Sequence, residues 1–139
     1  MARAAGLTPQ VLKLRGPKPD FDAAFKAMAS EGAEALVVLE VPAVFAIPKT
    51  VAELATAQRI PTMLWGGQAD AGGLMSYGTS STYPRVPVYV DRILKGAKPA
   101  DTAIEVFSKH QLVINLKTAR ELGVTVPAEM LKRADHVIE

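Results

Sequence analysis

Two histidines are the side chains in this sequence best suited to acid–base or metal chemistry. His110 stands beside a predicted strand, and His136 lies in a predicted helical tail. Neither has a Glu or a second His at the spacing that metal sites use. We therefore predict that both are ordinary surface or structural residues and that the chain holds no metal ion.

A nucleophile with an activating neighbour is also absent from the sequence. Ser76 lies between Met75 and Tyr77, so it does not sit in the Gly-x-Ser-x-Gly turn that exposes a catalytic serine. The sequence contains no cysteine, which excludes thiol catalysis, disulfides and thiolate metal sites. We predict a protein that catalyses no reaction and needs no cofactor.

Two glycine pairs, Gly66-Gly67 and Gly72-Gly73, could in principle form a phosphate-binding loop. However, no Gly-x-Gly-x-x-Gly follows a predicted strand, and Gly72 is not followed by the Lys and Ser or Thr of a P-loop. Turns at the ends of strands are the better interpretation.

Polar and aromatic residues collect in the loops after three predicted strands, at 40–45, 65–73 and 77–82. In open α/β sheets, ligands bind beyond the carboxyl ends of the strands. The loops supply three rings, an amide and a carboxylate: Phe45, Trp65, Tyr77, Gln68 and Asp70. Rings suit an apolar body, a carboxylate suits an amine and backbone N–H groups suit a carboxyl group, so we predict a site for a small amino-acid-like ligand. The alternative is that Trp65 and Tyr77 are core residues and that Asp70 caps a turn.

Composition sets the class of protein that carries this site. The 139 residues fit one domain, and 49% hydrophobic with 22% charged residues is typical of a folded globular chain. A net charge of +2 without a basic cluster argues against nucleic acid as a partner. The first residues lack the long apolar segment of a secretory signal, so we expect the chain as written to stay in the cytoplasm.

Alternating strand and helix patterns position the predicted loops. Residues 10–15 alternate like a strand near a sheet edge, and residues 35–39 form an apolar run typical of a strand covered on both faces. Asp20 is a candidate N-cap for a helix ending near Gly32, and Pro48 suits the first position of another helix. Residues 62–65 form the next strand. The order strand, helix, strand, helix, strand predicts an α/β fold with right-handed crossovers.

The second half of the chain adds a junction and further elements. After a short strand at 74–77, a helix from Pro84 to Lys95 has an apolar stripe: Val86, Val90, Ile93 and Leu94. A buried strand at 112–114 leads to a helix at 116–122, for which Asn115 is the expected N-cap. Pro127 opens a last helix with three inward-facing residues: Met130, Leu131 and Ala134.

Three motifs resemble one known family: Gly72-Gly-Leu-Met-Ser-Tyr-Gly78, Tyr89-Val-Asp-Arg-Ile-Leu-Lys-Gly-Ala-Lys-Pro-Ala-Asp101 and Leu112-Val-Ile-Asn-Leu-Lys-Thr-Ala-Arg-Glu-Leu-Gly123. They are similar to the substrate-binding proteins of ABC transporters in the tryptophan/tyrosine-type group, and the ending Arg133–Glu139 is similar to the ending of that family. The likeness runs along essentially the whole chain but covers only the C-terminal part of a typical member.

The resemblance implies a parallel-sheet, three-layer α/β sandwich, one lobe of a type I periplasmic-binding-protein-like fold. We expect residues 1–139 to form a single domain, in which residues 72–96 are a hinge-like strand and helix. In a full-length relative, the helix would pack on the first lobe.

The resemblance also implies a function without chemistry. The chain would be a solute-binding component, or a truncated lobe, of an uptake system, with a membrane permease as partner and a periplasmic or extracytoplasmic location. A different hypothesis remains open, in which a stand-alone module self-associates as a homodimer through Val86, Val90, Ile93 and Leu94.

Overall fold

The structure, a computed structural model, describes residues 2–14, 16, 19–39, 46–79, 86–103 and 110–139. Within them, five strands form one sheet: β1 (Leu36–Val37), β2 (Thr62–Trp65), β3 (Met75–Thr79), β4 (His110–Asn115) and β5 (His136–Ile138). The α-helices of these residues are α1 (Phe21–Ser30), α2 (Pro48–Ala57), α3 (Val86–Leu94), α4 (Leu116–Leu122) and α5 (Ala128–Arg133). Short 3-10 helices span Ala2–Ala5, Gln68–Ala71 and Pro99–Asp101.

The strands follow one another across the sheet in the order β1-β2-β3-β4-β5. Pairing is parallel from β1 to β3 and between β4 and β5, whereas β3 and β4 are antiparallel. The predicted α/β class with a mostly parallel sheet is confirmed. Because β4 is antiparallel to β3, the first residues of β4 lie at the same end of the sheet as the carboxyl ends of β2 and β3.

Helices α1 and α2 begin at the residues that the sequence predicts as their N-termini. The Asp20 carboxylate accepts a hydrogen bond from the Ala23 backbone N–H at 2.9 Å, which satisfies one unpaired donor of the first turn of α1. Pro48 occupies the first turn of α2, where a missing N–H costs nothing. Both sequence predictions are confirmed.

A hydrophobic cluster joins these two helices to one face of the sheet. Its buried members are Phe25, Met28, Val51, Ala55 and Ile60. Burial of each large apolar side chain contributes about 2 kcal/mol before entropic costs. Leu36 of β1 and Val38, two residues further along the chain, also pack against this cluster.

The opposite face of β1 is open, which corrects one prediction. Val37 is 60% exposed and Leu39 is 72% exposed, so the run at 35–39 is not a strand covered on both faces. The apolar run indicated a strand, but only residues 36 and 37 pair, and they do so with β2 alone. Apolar composition does not reveal that, among the described residues, one face of β1 is exposed.

The strand predicted at residues 10–15 is also wrong for the part that the structure describes, residues 10–14. Leu12 and Leu14 are half-buried against the hydrophobic cluster, whereas Val11 and Lys13 are exposed, so the alternation itself is real. The segment packs through side chains and belongs to no strand. Alternating burial arises wherever extended backbone lies against a core.

Helix α3 differs from the other long helices because none of its nine residues is buried. Its apolar stripe is half-exposed to exposed, from 44% at Ile93 to 81% at Leu94. The helix ends close to the predicted position, and Gly96 follows it with a φ of 97°. Residues 84 and 85 of the predicted helix lie outside the described residues.

In the C-terminal region, the predicted cap of α4 is confirmed and the predicted helical tail around His136 is wrong. Asn115 caps α4, and Gly123 ends that helix with a φ of 70°. His136 lies in β5, which pairs with β4, and not in a helical tail. Met130 is 37% exposed because the six-residue helix α5 buries little of its surface, whereas Leu131 and Ala134 are half-buried.

Candidate functional site

The candidate site lies at the end of the sheet that is formed by the carboxyl ends of β2 and β3. Trp65 and Tyr77 are register partners on these adjacent parallel strands, so their side chains lie on the same face of the sheet. This is the face that also carries Val37, opposite the α1–α2 cluster. Trp65 is half-buried and Tyr77 is 46% exposed, so Tyr77 is not a core residue.

Two glycines allow the ends of β2 and β3 to approach closely. A Cβ atom on Gly66 would lie 2.5 Å from the Thr79 carbonyl oxygen, closer than any ordinary contact. A Cβ atom on Gly78 would lie 2.8 Å from the Gly66 nitrogen and 3.0 Å from the Trp65 ring. The glycines therefore serve the packing of two strand ends and the indole ring, as the turn interpretation expects.

The turn after β2 carries the two polar candidates. Gly67, with a φ of 61°, leads into the 3-10 helix Gln68–Ala71, and Gly72, with a φ of 113°, ends it. Gln68 is half-buried and Asp70 is exposed, so the carboxylate is accessible from solvent. Ala69 is fully buried and anchors the turn between them.

Buried hydrogen bonds fix this turn to the start of α4. The Asn115 Nδ2 donates to the Ala69 carbonyl oxygen at 3.0 Å, while its Oδ1 accepts from the backbone N–H groups of Lys117 and Thr118. The Thr118 hydroxyl donates to the Gly72 carbonyl oxygen at 3.0 Å. One helix N-terminus thereby holds both ends of the 68–72 turn in place.

His110 lies against Tyr77, a contact that no sequence pattern predicts. Its ring stacks on the Tyr77 ring with a centroid distance of 5.4 Å and an interplanar angle of 22°. His110 pairs with Thr79 and Tyr77 with Leu112, so the two rings are diagonal neighbours on one face of the antiparallel pair. Only the β3–β4 register could have revealed this contact, because 33 positions separate the two residues in the chain (110 − 77).

The five predicted site residues thus have different outcomes. Trp65 and Tyr77 are adjacent, and Gln68 and Asp70 follow on the turn that leaves β2. Phe45 lies outside the described residues.

The residues at these strand ends offer groups that can bind a small molecule. In the described part of the chain, no group of three His, Asp or Glu side chains could hold a metal ion. No described helix is long and apolar enough to cross a membrane. Trp65, Tyr77 and His110 offer ring faces that suit the apolar body of a small molecule. The exposed Asp70 lies on the 68–72 turn, which Asn115 and Thr118 tie to the opposite end of β4 from His110.

The comparison with family models gives a match over nearly the full chain. The model described as ABC transporter substrate binding protein matches residues 7–138. No curated protein matches this sequence significantly.

Solved structures agree with this family and with the fold. An ABC domain from Streptococcus pneumonia, solved in complex with L-Trp, is 30% identical with a TM-score of 0.80, and the match covers 99% of this chain and 47% of that one. A conserved domain protein from Vibrio cholerae is 26% identical with a TM-score of 0.69, covering 83% of this chain and 40% of that one.

A ligand-free, open substrate-binding protein with adhesive properties from Clostridium difficile supports the fold alone. It is 18% identical with a TM-score of 0.51, over 87% of this chain and 42% of that one. This chain therefore spans about half the length of the structures that it matches. The fold is confirmed as one lobe of a periplasmic-binding-protein-like architecture. The chain belongs to the ABC transporter substrate-binding protein family, which binds solutes and is not a class of enzymes.

Proposed function

We propose that this chain is one lobe of a solute-binding component of an uptake system and that it binds a small amino-acid-like ligand at the ends of β2 and β3. The observation that carries the proposal is the placement of Trp65 and Tyr77 as register partners at the carboxyl ends of β2 and β3. In an α/β sheet, this is the edge at which ligands bind.

The predicted site residues include a group for each part of such a ligand. The exposed Asp70 carboxylate would accept hydrogen bonds from a ligand amine, and the Trp65 and Tyr77 rings would contact its apolar body. Gln68 would contribute its amide, and Phe45 remains a predicted ring of the site. The bound L-Trp of the pneumococcal neighbour supports a ligand of this class.

The length of the chain bears on affinity. Because it corresponds to 47% of the pneumococcal neighbour, much of the contact that would enclose a ligand lies outside these residues. In this proposal, residues 1–139 are a single lobe with residues 72–96 as its hinge-like strand and helix. A complete protein would act on the extracytoplasmic side and present its closed form to a membrane permease.

A titration of the single tryptophan tests the proposal directly. Trp65 is the only tryptophan in the chain, so its fluorescence reports on the site without labels. We expect L-phenylalanine and L-leucine to change this fluorescence with a Kd on the order of 1 mM, which is about −4 kcal/mol. Calorimetry on the same samples gives an independent Kd. Tight binding would contradict the half-site interpretation, and no binding by an amino-acid panel would contradict the ligand class.

A matched pair of variants tests the role of Asp70. D70N removes the negative charge with little change in shape and should weaken amino-acid binding about fivefold, as expected for an exposed ion pair. D101N makes the same change at an exposed position of the 3-10 helix Pro99–Asp101 and should leave binding unchanged. Equal affinities for the two variants would exclude Asp70 from the site.

A second candidate function is self-association through α3. The observation in its favour is that the stripe of Val86, Val90, Ile93 and Leu94 is unburied, with exposed fractions of 51%, 48%, 44% and 81%. Apolar side chains that recur on one helix side need a partner, which would be either a second copy or the first lobe of a longer protein.

Sedimentation velocity separates these two partners. A concentration-dependent dimer that V90K abolishes would support self-association. V88K adds the same charge at a residue outside the stripe, where Val88 is 37% exposed, and should leave the dimer intact. A strict monomer at high concentration would exclude the homodimer and favour a first lobe as the partner of α3.

A further inference from the structure

Two apolar surfaces in the described part of the chain lie outside the hydrophobic cluster that α1 and α2 build. One is the apolar stripe of α3, a helix in which no residue is buried. The other lies across β1 to β3, on the sheet face opposite the cluster. Parallel sheets are ordinarily covered by helices on both faces. An open sheet face and a helix without a sheet are therefore complementary surfaces.

The strand register defines the open sheet face. Val37 of β1 pairs with Met63 of β2, and Met63 pairs with Met75 of β3. Tyr77 lies two positions after Met75, so its side chain is on the same face. Val37, Tyr77 and Leu39, two residues after Val37, are exposed, and Met63 is half-buried. We call Val37, Leu39, Met63 and Tyr77 the open patch.

The position and length of α3 suit it to cover such a patch in a second copy of the chain. β3 ends at Thr79 and β4 begins at its register partner His110, so residues 80–109 leave the sheet and return at one point. Because α3 has no buried residue in its own copy, its docking elsewhere breaks no core contact. The nine residues of α3 are about 14 Å long, and the four and five residues of β2 and β3 are about 13–17 Å long.

The buried area decides which contact between two copies is stable. The four stripe residues are 44–81% exposed, and Val37, Leu39 and Tyr77 are 46–72% exposed. With about 150 Å² for each fully exposed side chain of this size, stripe against stripe buries only about 700 Å² in total, which is typical of crystal-packing contacts. One stripe on one open patch buries about 600 Å², and two such contacts about a twofold axis bury about 1,200 Å², the lower limit of a stable specific interface.

We propose that two copies of this chain dock their α3 helices reciprocally, so that the stripe of each copy covers the open patch of the other. The inference rests on self-association, the second candidate function above, and names the surface that receives α3. Each α3 supplies the helix layer that the sheet of the other copy lacks over β1 to β3. Both apolar surfaces are covered in a closed dimer.

Sedimentation velocity on matched variants tests the open patch. The unmodified chain should dimerise with a Kd on the order of 10 µM, as suits an interface of this size. L39K places a charge in the open patch and should weaken dimerisation about thirtyfold or more, because a lysine in each contact would lose its hydration. Leu7 is also exposed, at 63%, and belongs to neither surface, so L7K should leave dimerisation unchanged. Equal urea-unfolding midpoints at low concentration verify that both variants fold.

NMR of the two histidines locates the contact. The His110 ring stacks on the Tyr77 ring with a centroid distance of 5.4 Å, so a helix that covers the open patch changes the surroundings of His110. His136 lies in β5, at the other edge of the sheet from β1. Raising the concentration through the dimerisation range should shift the imidazole C–H resonances of His110 and leave those of His136 in place. H136Q assigns the signals.

The possible outcomes separate this inference from the self-association on which it rests. A strict monomer at high concentration would overturn both. A dimer that V90K weakens and L39K leaves intact would retain self-association through α3 and overturn its docking on the open patch. Equal weakening by L39K and L7K, or equal shifts at both histidines or at neither, would also overturn the docking.

Discussion

Replacement of Asn115 by alanine should destabilise the protein well beyond the usual cost of a lost helix cap. Asn115 is 5% exposed and makes three side-chain hydrogen bonds, two to the first turn of α4 and one to Ala69. The lost cap costs about 1 kcal/mol. The N–H of Thr118, a residue that is also buried, would lose its acceptor at a further cost of about 1–2 kcal/mol. The Ala69 carbonyl retains a bond from the Gly72 N–H, so its share is smaller.

The sum is about 3 kcal/mol, which should lower Tm by about 10 °C for a chain of this length. Asp20 provides the matched control, because it caps α1 through one exposed hydrogen bond and has no tertiary partner among the described hydrogen bonds. D20A should cost only about 1 kcal/mol. The difference between the two variants measures the combined cost of the buried cap and of the bond from Asn115 to the 68–72 turn.

Urea unfolding followed by circular dichroism measures both free energies. N115D adds a further test, since it keeps the capping oxygen but replaces the donor that reaches Ala69 with a second acceptor. We expect it to be destabilised despite the intact cap. Equal losses for N115A and D20A, or full stability of N115D, would refute the conclusion that Asn115 anchors the turn of the candidate site.

Three further substitutions test other parts of the fold. S76A should be neutral or slightly stabilising in urea unfolding, because the fully buried Ser76 hydroxyl has no hydrogen-bond partner in the described structure; a loss above about 1 kcal/mol would reveal a partner. G66A should lower stability by more than about 2 kcal/mol, since its Cβ would meet the Thr79 carbonyl oxygen at 2.5 Å, whereas G67A, with open space around it, should cost about 1 kcal/mol from its φ of 61°. V37K should reduce the aggregation measured by light scattering and leave Tm unchanged, because it places a charge on the edge strand β1 at a 60% exposed position. Unchanged aggregation would mean that the exposed edge of β1 is not the surface through which the protein aggregates.

The predictions that succeeded depend on local chemistry. Asp20 and Asn115 cap their helices, Pro48 starts α2 and Gly123 ends α4, each as its side chain or backbone freedom requires. The strand at 62–65 was also predicted with its correct bounds. Each of the capping residues acts on backbone groups within four positions of itself.

The predictions that failed concern what covers an element or pairs with it. The apolar run at 35–39 has one exposed face, the segment at 10–14 is not a strand, and β5 exists through its pairing with β4. At β5, the Asp135 N–H donates to the Leu112 carbonyl oxygen at 2.8 Å, and the Leu112 N–H donates back to the Asp135 carboxylate. Such partners lie more than twenty residues away, beyond the reach of a periodic pattern.

The candidate site divides in the same way. The α/β class, and the rings and carboxylate that follow the strands, can be inferred from residue types and their spacing. The pairing of Trp65 with Tyr77, the hydrogen bond from Asn115 to the turn that bears Asp70, and the stacking of His110 on Tyr77 are visible only in the folded chain. Side-chain type and spacing govern local hydrogen bonding, whereas the register of β-strands depends on contacts between distant segments, which form only when the sheet assembles.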